Sequence, residues 1–216
     1  MNQSLWLERG DWAHSHFSGQ GKLLTFPRET LLFQQDTVHP YVYLVLEGRV
    51  RVFLLSPMGA ERHLYIVGSG HLLGESAAWT EDQSEYCATA SSDVQLLQIT
   101  KHDFFSIILN DLALTKRVLS SLCQKQSALL LQAKLMSFSD VEQRVLTMLQ
   151  QLAASYGIKT SIGLTITIPF THQELAYVVG SSRVSVSYVM NSLQEKGEIV
   201  KQNGLYTLLT SREQTV

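Results

Sequence analysis

The chain has 216 residues, with 17 basic and 19 acidic side chains and a formal net charge of -2. At about 100–200 residues per domain, this length predicts one or two domains. A hydrophobic fraction of 45% with only 17% charged residues excludes a disordered chain. The near-neutral balance indicates no broad basic surface for nucleic acid or acidic lipid.

Two cysteines, Cys87 and Cys123, are too few for a disulfide framework. The sequence also lacks the CxxC pair that would indicate a zinc site. Residues 1–21 lack the charged-then-apolar order of a signal peptide. Apolar runs such as 41–46 are far shorter than the roughly 18 residues that suggest a membrane span. We therefore expect a cytoplasmic protein with reduced thiols and no membrane partner.

Residues 23–100 predict an all-β roll or barrel. Short alternating or apolar segments follow one another closely, at 23–26, 30–33, 41–46, 49–55, 61–67, 72–73 and 94–99. Turn residues such as Glu47-Gly48 and the glycines at 68–70 separate them. Strict alternation over 49–52 predicts a strand with one core face and one solvent face.

A long helix is predicted next, capped by Asn110 or Asp111, because no Gly or Pro occurs again before Gly157. One row of residues steps by alternating threes and fours, which is the spacing of a coiled-coil seam. This seam consists of Leu112, Thr115, Leu119, Leu122, Gln126, Leu129, Ala133 and Met136. Gln126 is the kind of polar residue that sets the register of two helices.

An amphipathic helix lying on its own core is the alternative to an intermolecular seam. A second apolar flank favours the seam, because the helix then has one face for a roll and another for a partner chain. The flank consists of Leu114, Val118, Leu130 and Leu131. The segment 137–140 interrupts this helix, and Ser139 or Asp140 is expected to cap the next one, over 141–156.

Residues 171–193 predict a helix-turn-helix. Thr171 followed by Glu174 forms a capping box, Gly180 allows the sharp turn, and Ser181 or Ser182 caps the second helix. A short strand is expected over 164–169 before this motif. After it, 199–202 and 205–209 indicate two strands joined by an Asn-Gly turn, which would form a wing.

The outward side of the second helix suits a reader of the DNA major groove. Arg183 in its first turn can reach guanine acceptors or a phosphate, and Val184 can contact a thymine methyl. Capped helix N-termini can hold phosphates through backbone amides. The candidate DNA-binding residues are Thr171, His172, Ser181, Ser182, Arg183, Val184, Ser187, Tyr188 and Lys201. An ordinary helical hairpin that binds no DNA is the alternative.

Over residues 20–210 the chain resembles the CRP/FNR family of bacterial transcription regulators. The resemblance rests on EGRVRV at 47–52, GSGHLLGE at 68–75, the long helix, and HQELAYVVGSSRVSVSYVMNSLQEKGEI at 172–199. It implies an α+β fold with an N-terminal β-roll of the cupin-like jelly-roll kind, a long dimerisation helix and a C-terminal winged helix-turn-helix. The expected domains are an effector-sensing roll (1–110), the dimerisation helix (111–137) and a DNA-binding domain (138–216).

The resemblance also implies a homodimer that reads a two-fold palindrome in double-stranded DNA, with RNA polymerase as a further candidate partner. The dimer contact would be the seam. Effector binding is expected to shift the long helix against its mate and reorient the winged domains about 137–140.

Cyclic AMP is not the expected effector. In cyclic-nucleotide members of the family a Gly-Glu pair and a downstream Arg-Ser pair hold the phosphate, and here Gly74-Glu75 are followed by Glu85-Tyr86. A carboxylate in place of the cation would repel a phosphate. The helix hydroxyls that bond the purine align with Leu129 and Leu130. The resulting pocket suits a small apolar or aromatic molecule, and its lining is Gly74, Glu75, Ser76, Tyr86, Cys87, Leu129 and Leu130.

No iron–sulfur cluster is expected, because residues 1–36 contain no cysteine. A haem-based gas or redox sensor is an alternative, since haem needs an axial His or Cys. The candidates are His14, His16, His39, His63, His71 and Cys87, but scattered histidines are more often structural, and no metal site is expected. The sequence does not identify any other cofactor.

An enzyme is not expected, because the sequence contains no GxSxG, HExxH or Walker pattern. An effector-gated protein-interaction module that does not bind DNA is the rival from another class. Such a module would show no salt-dependent affinity for a palindrome.

Overall fold

A computed structural model of the chain describes residues 4–7, 10, 12–17, 19–80 and 82–209. The chain divides into two compact units, residues 1–131 and 132–216. The division falls inside the long helix, before the interruption near residue 138. The last turns of that helix belong to the second unit, where Gln132 Nε2 donates to the carbonyl of Val178 at 3.3 Å.

The first unit is a β-roll of two sheets. Its strands are β1 (Trp6–Leu7), β2 (Lys22–Phe26), β3 (Leu31–Phe33), β4 (Tyr41–Glu47), β5 (Val50–Leu55), β6 (Glu61–Val67), β7 (Leu72–Leu73), β8 (Cys87–Ala90) and β9 (Val94–Thr100). A 3-10 helix, His14–Phe17, lies between β1 and β2. One sheet has the order β1-β6-β5-β8-β3 and the other β2-β9-β4-β7. The predicted β-rich first domain is confirmed.

Alternation in β5 breaks where the strand register shifts. Val50 and Val52 are buried and Arg51 between them is half-buried, as the sequence predicts. The register with β6 shifts between Val52 and Phe53, which pair with Tyr65 and His63, and both of these β5 side chains are buried. The extra residue of this bulge, Leu64, lies in β6 opposite them. β8 has no such alternation, because all four of its small side chains are buried, and sequence periodicity did not reveal it.

The first unit also contains α1 (Glu75–Thr80), between β7 and β8, and α2 (Lys101–Ile108), which follows β9; α3 (Leu112–Phe138) comes next. The sequence did not predict α1, which is too short for a helical period. The cap of α3 is Asp111, whose Oδ1 accepts from the amides of Ala113 and Leu114 at 2.8 and 3.3 Å. α3 packs on the roll through Leu114 and Val118, which join its apolar core.

α3 has two distinct faces. One face is buried and runs through Leu114, Val118, Ser121, Lys125, Ala128 and Leu131. The seam lies on the other side. Leu112 and Leu119 are 69% and 56% exposed, and of the seam residues only Thr115 and Leu122 are even half-buried. The exposed row of the seam therefore leaves much of its apolar surface in contact with water in a single chain.

The second unit is a helical bundle with a small sheet. Its elements are α4 (Val141–Tyr156), β10 (Gly157–Lys159), β11 (Gly163–Ile166), α5 (His172–Val179), α6 (Arg183–Glu195), β12 (Ile199–Gln202) and β13 (Leu205–Leu209). The sheet order is β10-β11-β13-β12. Asp140 caps α4 by accepting from the Gln143 amide at 2.8 Å. Among the described residues, none of the helices combines the length and apolar character needed to cross a membrane.

Candidate nucleic-acid interface and effector site

The helix-turn-helix forms from local hydrogen bonds that the sequence predicts. Thr171 Oγ1 accepts from the Glu174 amide at 3.1 Å, and Glu174 Oε2 accepts from the Thr171 amide at 2.7 Å. Gly180 follows with φ 62°, a left-handed conformation that glycine adopts without steric cost. Ser182 Oγ then accepts from the Ser185 amide at 3.0 Å and starts α6. Ala176 is fully buried between the helices.

α6 has one buried and one open side. Its buried residues are Val186, Val189, Met190 and Leu193. On the open side Val184 and Tyr188 lie one turn apart and are 79% and 77% exposed. Arg183 beside them is also exposed, and Ser181 is half-buried at the turn. Together they form a continuous surface at the N-terminal end of α6 that can contact base edges and phosphates.

His172 is engaged within the protein rather than free for DNA. Its Nδ1 lies 2.8 Å from Ser187 Oγ and its Nε2 lies 2.9 Å from Tyr206 Oη. These bonds connect α5, α6 and β13. The sequence predicts His172 and Ser187 as DNA contacts, but a ring with both nitrogens occupied has no donor left for a phosphate. His172 therefore positions α6, and the single hydroxyl of Ser187 is already hydrogen-bonded to His172.

The wing presents one cation beside this network. Lys201 on β12 is exposed, and its Nζ lies 5.0 Å from the centre of the Tyr206 ring. The ring of Phe170 stacks on the ring of Tyr206, at a centroid distance of 5.2 Å. Burial, followed by the charges of Lys201 and Arg183, lowers the pKa of His172 below 6.5 and favours the neutral ring. Lys196, by contrast, pairs with Glu142.

Of the residues predicted for an effector pocket, Gly74 and Tyr86 are hydrogen-bonded to each other in the roll, and Glu75 is paired with a residue of α3. Glu75 is 1% exposed and forms an ion pair with Lys125 of α3, whose Nζ also donates to the Leu72 carbonyl at 2.7 Å. Tyr86 Oη accepts from the Gly74 amide at 3.2 Å. Burial raises the pKa of Tyr86, so the phenol is neutral. Glu75 Oε2 has no hydrogen-bond partner among the described residues.

Leu129 and Leu130 are not part of this buried group. They are 40% and 58% exposed, whereas Lys125 and Ala128 are buried on the roll-facing side of α3. Sequence reasoning missed Lys125, although it lies in step with Val118 on the buried face. Cys87 is buried, and its Sγ accepts from the Gln35 amide at 3.4 Å. Ser76 is half-buried.

A ligand-binding β-roll joined to a winged helix-turn-helix defines a DNA-binding transcription regulator. Residues 23–111 match the family description "Cyclic nucleotide-binding domain", and residues 143–213 match "Crp-like helix-turn-helix domain". The chain belongs to the CRP/FNR family of transcription regulators. Regulators with this helix-turn-helix bind DNA and act as dimers, and they are not enzymes.

Individual relatives agree with this assignment. The cyclic AMP receptor protein of Thermus thermophilus is 30% identical over 192 residues, which are 89% of this chain and 84% of that protein. A CRP-like cAMP-activated global transcriptional regulator of Mycobacterium tuberculosis is 25% identical, over 87% of this chain and 84% of its own length. The fold matches the c-di-GMP responsive global regulator CLP of Xanthomonas campestris with a TM-score of 0.80 at 22% identity, covering 92% of this chain and 98% of that one.

Breaking the buried ion pair is expected to destabilise the first unit. In Lys125→Met the Glu75 carboxylate stays buried without a cation, which costs about 3–5 kcal/mol of unfolding free energy. Replacing both residues, as in Lys125→Met with Glu75→Leu, removes the uncompensated charge and should recover most of that loss. Denaturant unfolding measures both. Lys134→Met, at an exposed position of the same helix, is the control. Equal losses in the single and double variants would contradict this account.

The His172 network predicts a stability that depends on pH. The folded state lowers the pKa of His172, so its contribution is complete above pH 6.5 and is lost as the pH falls below that value. His71 acts in the same direction, because burial and then Lys125 lower its pKa to about 4. Denaturant unfolding between about pH 7.5 and about pH 5, a range that spans the ordinary histidine pKa, measures this loss. The loss of stability in acid should be smaller in His172→Gln than in the wild type. His102→Gln, at an exposed histidine, should keep the wild-type dependence.

Proposed function

We propose that this protein is a sequence-specific transcription regulator that works in the cytoplasm as a homodimer on a palindromic operator. The observation that carries the proposal is the open side of α6, where Arg183, Val184 and Tyr188 are exposed beside a capped helix N-terminus. A helix of this kind can enter the major groove, where base edges are distinguishable. RNA polymerase is the expected further partner on the DNA.

The charge of the second unit supports binding through a few local donors. Residues 139–216 contain equal numbers of basic and acidic side chains. Arg183 and Lys201 are exposed cations near α6 and the wing. Backbone amides at the capped starts of α5 and α6 can hold phosphates without side-chain charge. We therefore expect modest non-specific affinity, with specificity coming from base contacts.

The seam of α3 supports a homodimer. Its exposed residues include Leu112, Leu119, Leu129 and Met136, which in water expose apolar surface along several helical turns. Burying such a row against a second α3 is favourable by about 25 cal/mol per Å² of apolar area. The polar Gln126 in mid-seam is also exposed and would set the pairing register.

Genomic footprinting followed by fluorescence anisotropy on the operator tests DNA binding. Arg183→Ala should weaken specific binding by about 10- to 100-fold, since one good base contact contributes about 1–3 kcal/mol. Lys22→Ala, which removes an exposed cation of β2, is the matched control and should bind as the wild type does. Absence of any protected palindrome, or affinity that does not change with salt, would favour the protein-interaction module instead.

A variant in the seam of α3 tests the homodimer with the same binding measurement. Leu119→Asp should reduce the mass in sedimentation from a dimer to the 24.2 kDa of one chain and abolish binding to the full palindrome. Ser120→Asp, its exposed neighbour outside the seam, adds the same charge and should do neither. A wild-type protein that sediments as a monomer and still binds the palindrome would exclude the homodimer.

We further propose that a small effector other than cyclic AMP controls DNA binding from the roll. Lys125 is committed to Glu75 and Leu72, and an exposed carboxylate, Glu85, stands beside buried Tyr86. An anionic phosphate would meet this carboxylate. An apolar or aromatic molecule with one hydrogen-bond donor fits the phenol and the unpartnered Glu75 Oε2 better.

Some relatives are named for cyclic AMP, so cyclic AMP is the first ligand to test. Titration calorimetry distinguishes it from the other candidate effectors. Cyclic AMP should give no submicromolar binding, whereas a panel of substituted phenols should contain a ligand that changes operator affinity. Glu75→Gln should weaken the binding of that ligand. Glu61→Gln, which changes a half-buried glutamate elsewhere in the roll, should leave the binding unchanged. Submicromolar cyclic AMP binding would overturn the proposal, and a Soret band after haem titration would favour the haem sensor.

A further inference from the structure

Tyr65 is a buried tyrosine of the roll that is absent from the predicted pocket lining. It lies on β6 and is 4% exposed. Val52 of β5 pairs with Tyr65 on one side and with Ala88 of β8 on the other. Residues that pair directly across strands point to the same face of a sheet. These three buried side chains therefore form one row on one face of the sheet.

The hydroxyl of Tyr65 extends further from the sheet than the other side chains of this row. Side chains of a strand stand roughly perpendicular to the sheet. Val52 and Ala88 are shorter than a tyrosine, so the phenol ring reaches past them. The hydroxyl therefore lies away from the backbone groups of the strands and depends on side chains or on a ligand for a partner.

The groups near this hydroxyl are a carboxylate and a second phenol. Burial first, and then Tyr86, Glu75 and Glu85, raise the pKa of Tyr65, so its phenol is protonated. Burial and then Glu75 likewise raise the pKa of Tyr86. One carboxylate acts on both phenols, which places Tyr65, Tyr86 and Glu75 in one cluster, called here the Tyr65 cluster.

Two polar groups of the Tyr65 cluster have no hydrogen-bond partner in the part of the chain that the structure describes. Glu75 pairs with Lys125 through Oε1, but its Oε2 has no partner. No hydrogen bond contributes to the pKa of Tyr65, whereas Tyr86 accepts from the Gly74 amide. Buried polar groups in folded proteins are nearly always hydrogen-bonded, to protein, water or a ligand. A donor on Tyr65 and an acceptor on Glu75 are therefore available to a group that is not part of the chain.

This donor and this acceptor are complementary to a neutral hydroxyl. The protonated phenol of Tyr65 can donate, and the ionised carboxylate of Glu75 can only accept. A hydroxyl of a ligand donates and accepts at the same time, so it can satisfy both. An anionic ligand would face the charges of Glu75 and Glu85, which repel it. Lys125 does not offset this repulsion, because it is bound to Glu75 and to the Leu72 carbonyl.

We propose that Tyr65 is a further specificity-determining residue of the effector site and selects a ligand with a neutral hydroxyl on an apolar ring. This assignment rests on the effector site proposed above. The ligand hydroxyl accepts from Tyr65 Oη and donates to Glu75 Oε2, and so connects β6 to the start of α1. The ligand thereby contacts the same carboxylate that pairs with Lys125 of α3.

NMR titration of the full chain with phenol, toluene and sodium benzoate tests the proposal. The three probes share one aromatic ring and differ in carrying a hydroxyl, a methyl or a carboxylate group. Phenol should bind at least about tenfold more tightly than benzoate, because the carboxylates of the site repel the anion. Absence of phenol binding, or benzoate binding as tight as that of phenol, would overturn the proposal.

Tyr65→Phe separates the hydrogen bond from the packing of the ring. Without ligand this variant should be as stable in urea as the wild type or more so, because it removes a buried hydroxyl without a partner. Its phenol affinity should fall about five- to tenfold, the effect of one hydrogen bond, while its toluene affinity stays unchanged. Tyr43→Phe is the matched control. It removes a buried hydroxyl of the roll that accepts from Gln98 Nε2 at 3.3 Å, and it should bind phenol as the wild type does.

Two results with Tyr65→Phe would contradict the assignment. Equal losses of phenol and toluene affinity would show that the ring only packs, and unchanged phenol affinity would show that the hydroxyl binds water alone. Operator affinity in the presence of phenol is a separate measurement. Phenol that binds through Tyr65 without changing operator affinity would contradict effector control from the roll and leave the assignment of Tyr65 intact.

Discussion

The buried pair between Lys125 and Glu75 determines how α3 lies on the roll. Lys125 donates to the Glu75 carboxylate and to the Leu72 carbonyl, so one ammonium of α3 binds two acceptors of the segment 72–75, about 50 residues earlier in the chain. A buried charge is tolerated only where such partners surround it. With Lys125 facing inward, the helical period places Ala128 on the same side and turns the seam outward. The open apolar row of α3 is therefore a consequence of this pair as much as of hydrophobic spacing.

The same pair changes what the roll can accept. Glu75 has one oxygen without a hydrogen-bond partner among the residues that the structure describes, and the neutral phenol of Tyr86 accepts from the Gly74 amide. In the proposed function these groups would accept a hydrogen bond from an otherwise apolar ligand, while the charge of Lys125 is already paired with Glu75. A fold shared with cyclic-nucleotide regulators is thus compatible with a different ligand chemistry, because specificity depends on a few side chains within the pocket.

In the second unit, hydrogen bonds of His172 connect three elements in a similar way. Its two nitrogens reach Ser187 and Tyr206, so the start of α5, the middle of α6 and the wing are held together by one neutral ring. Arg183, Val184 and Tyr188 remain exposed at the N-terminal end of α6. Hydrogen bonds within the domain fix the position of α6. The domain can therefore hold these side chains in place without an excess of positive charge.

Local signals in the sequence determined much of the architecture. The Thr171–Glu174 capping box, the caps at Asp140 and Ser182, the turn at Gly180 and the two faces of α3 each depend on residues a few positions apart. Their chemistry is therefore readable from order and spacing alone. Tertiary structure alone decided the pairing of Lys125 with Glu75 and of His172 with Tyr206, and the exposure of Leu130. Those features arise where long-range packing brings residues from separate elements together, and no local period or cap encodes which distant side chain a buried polar group will meet.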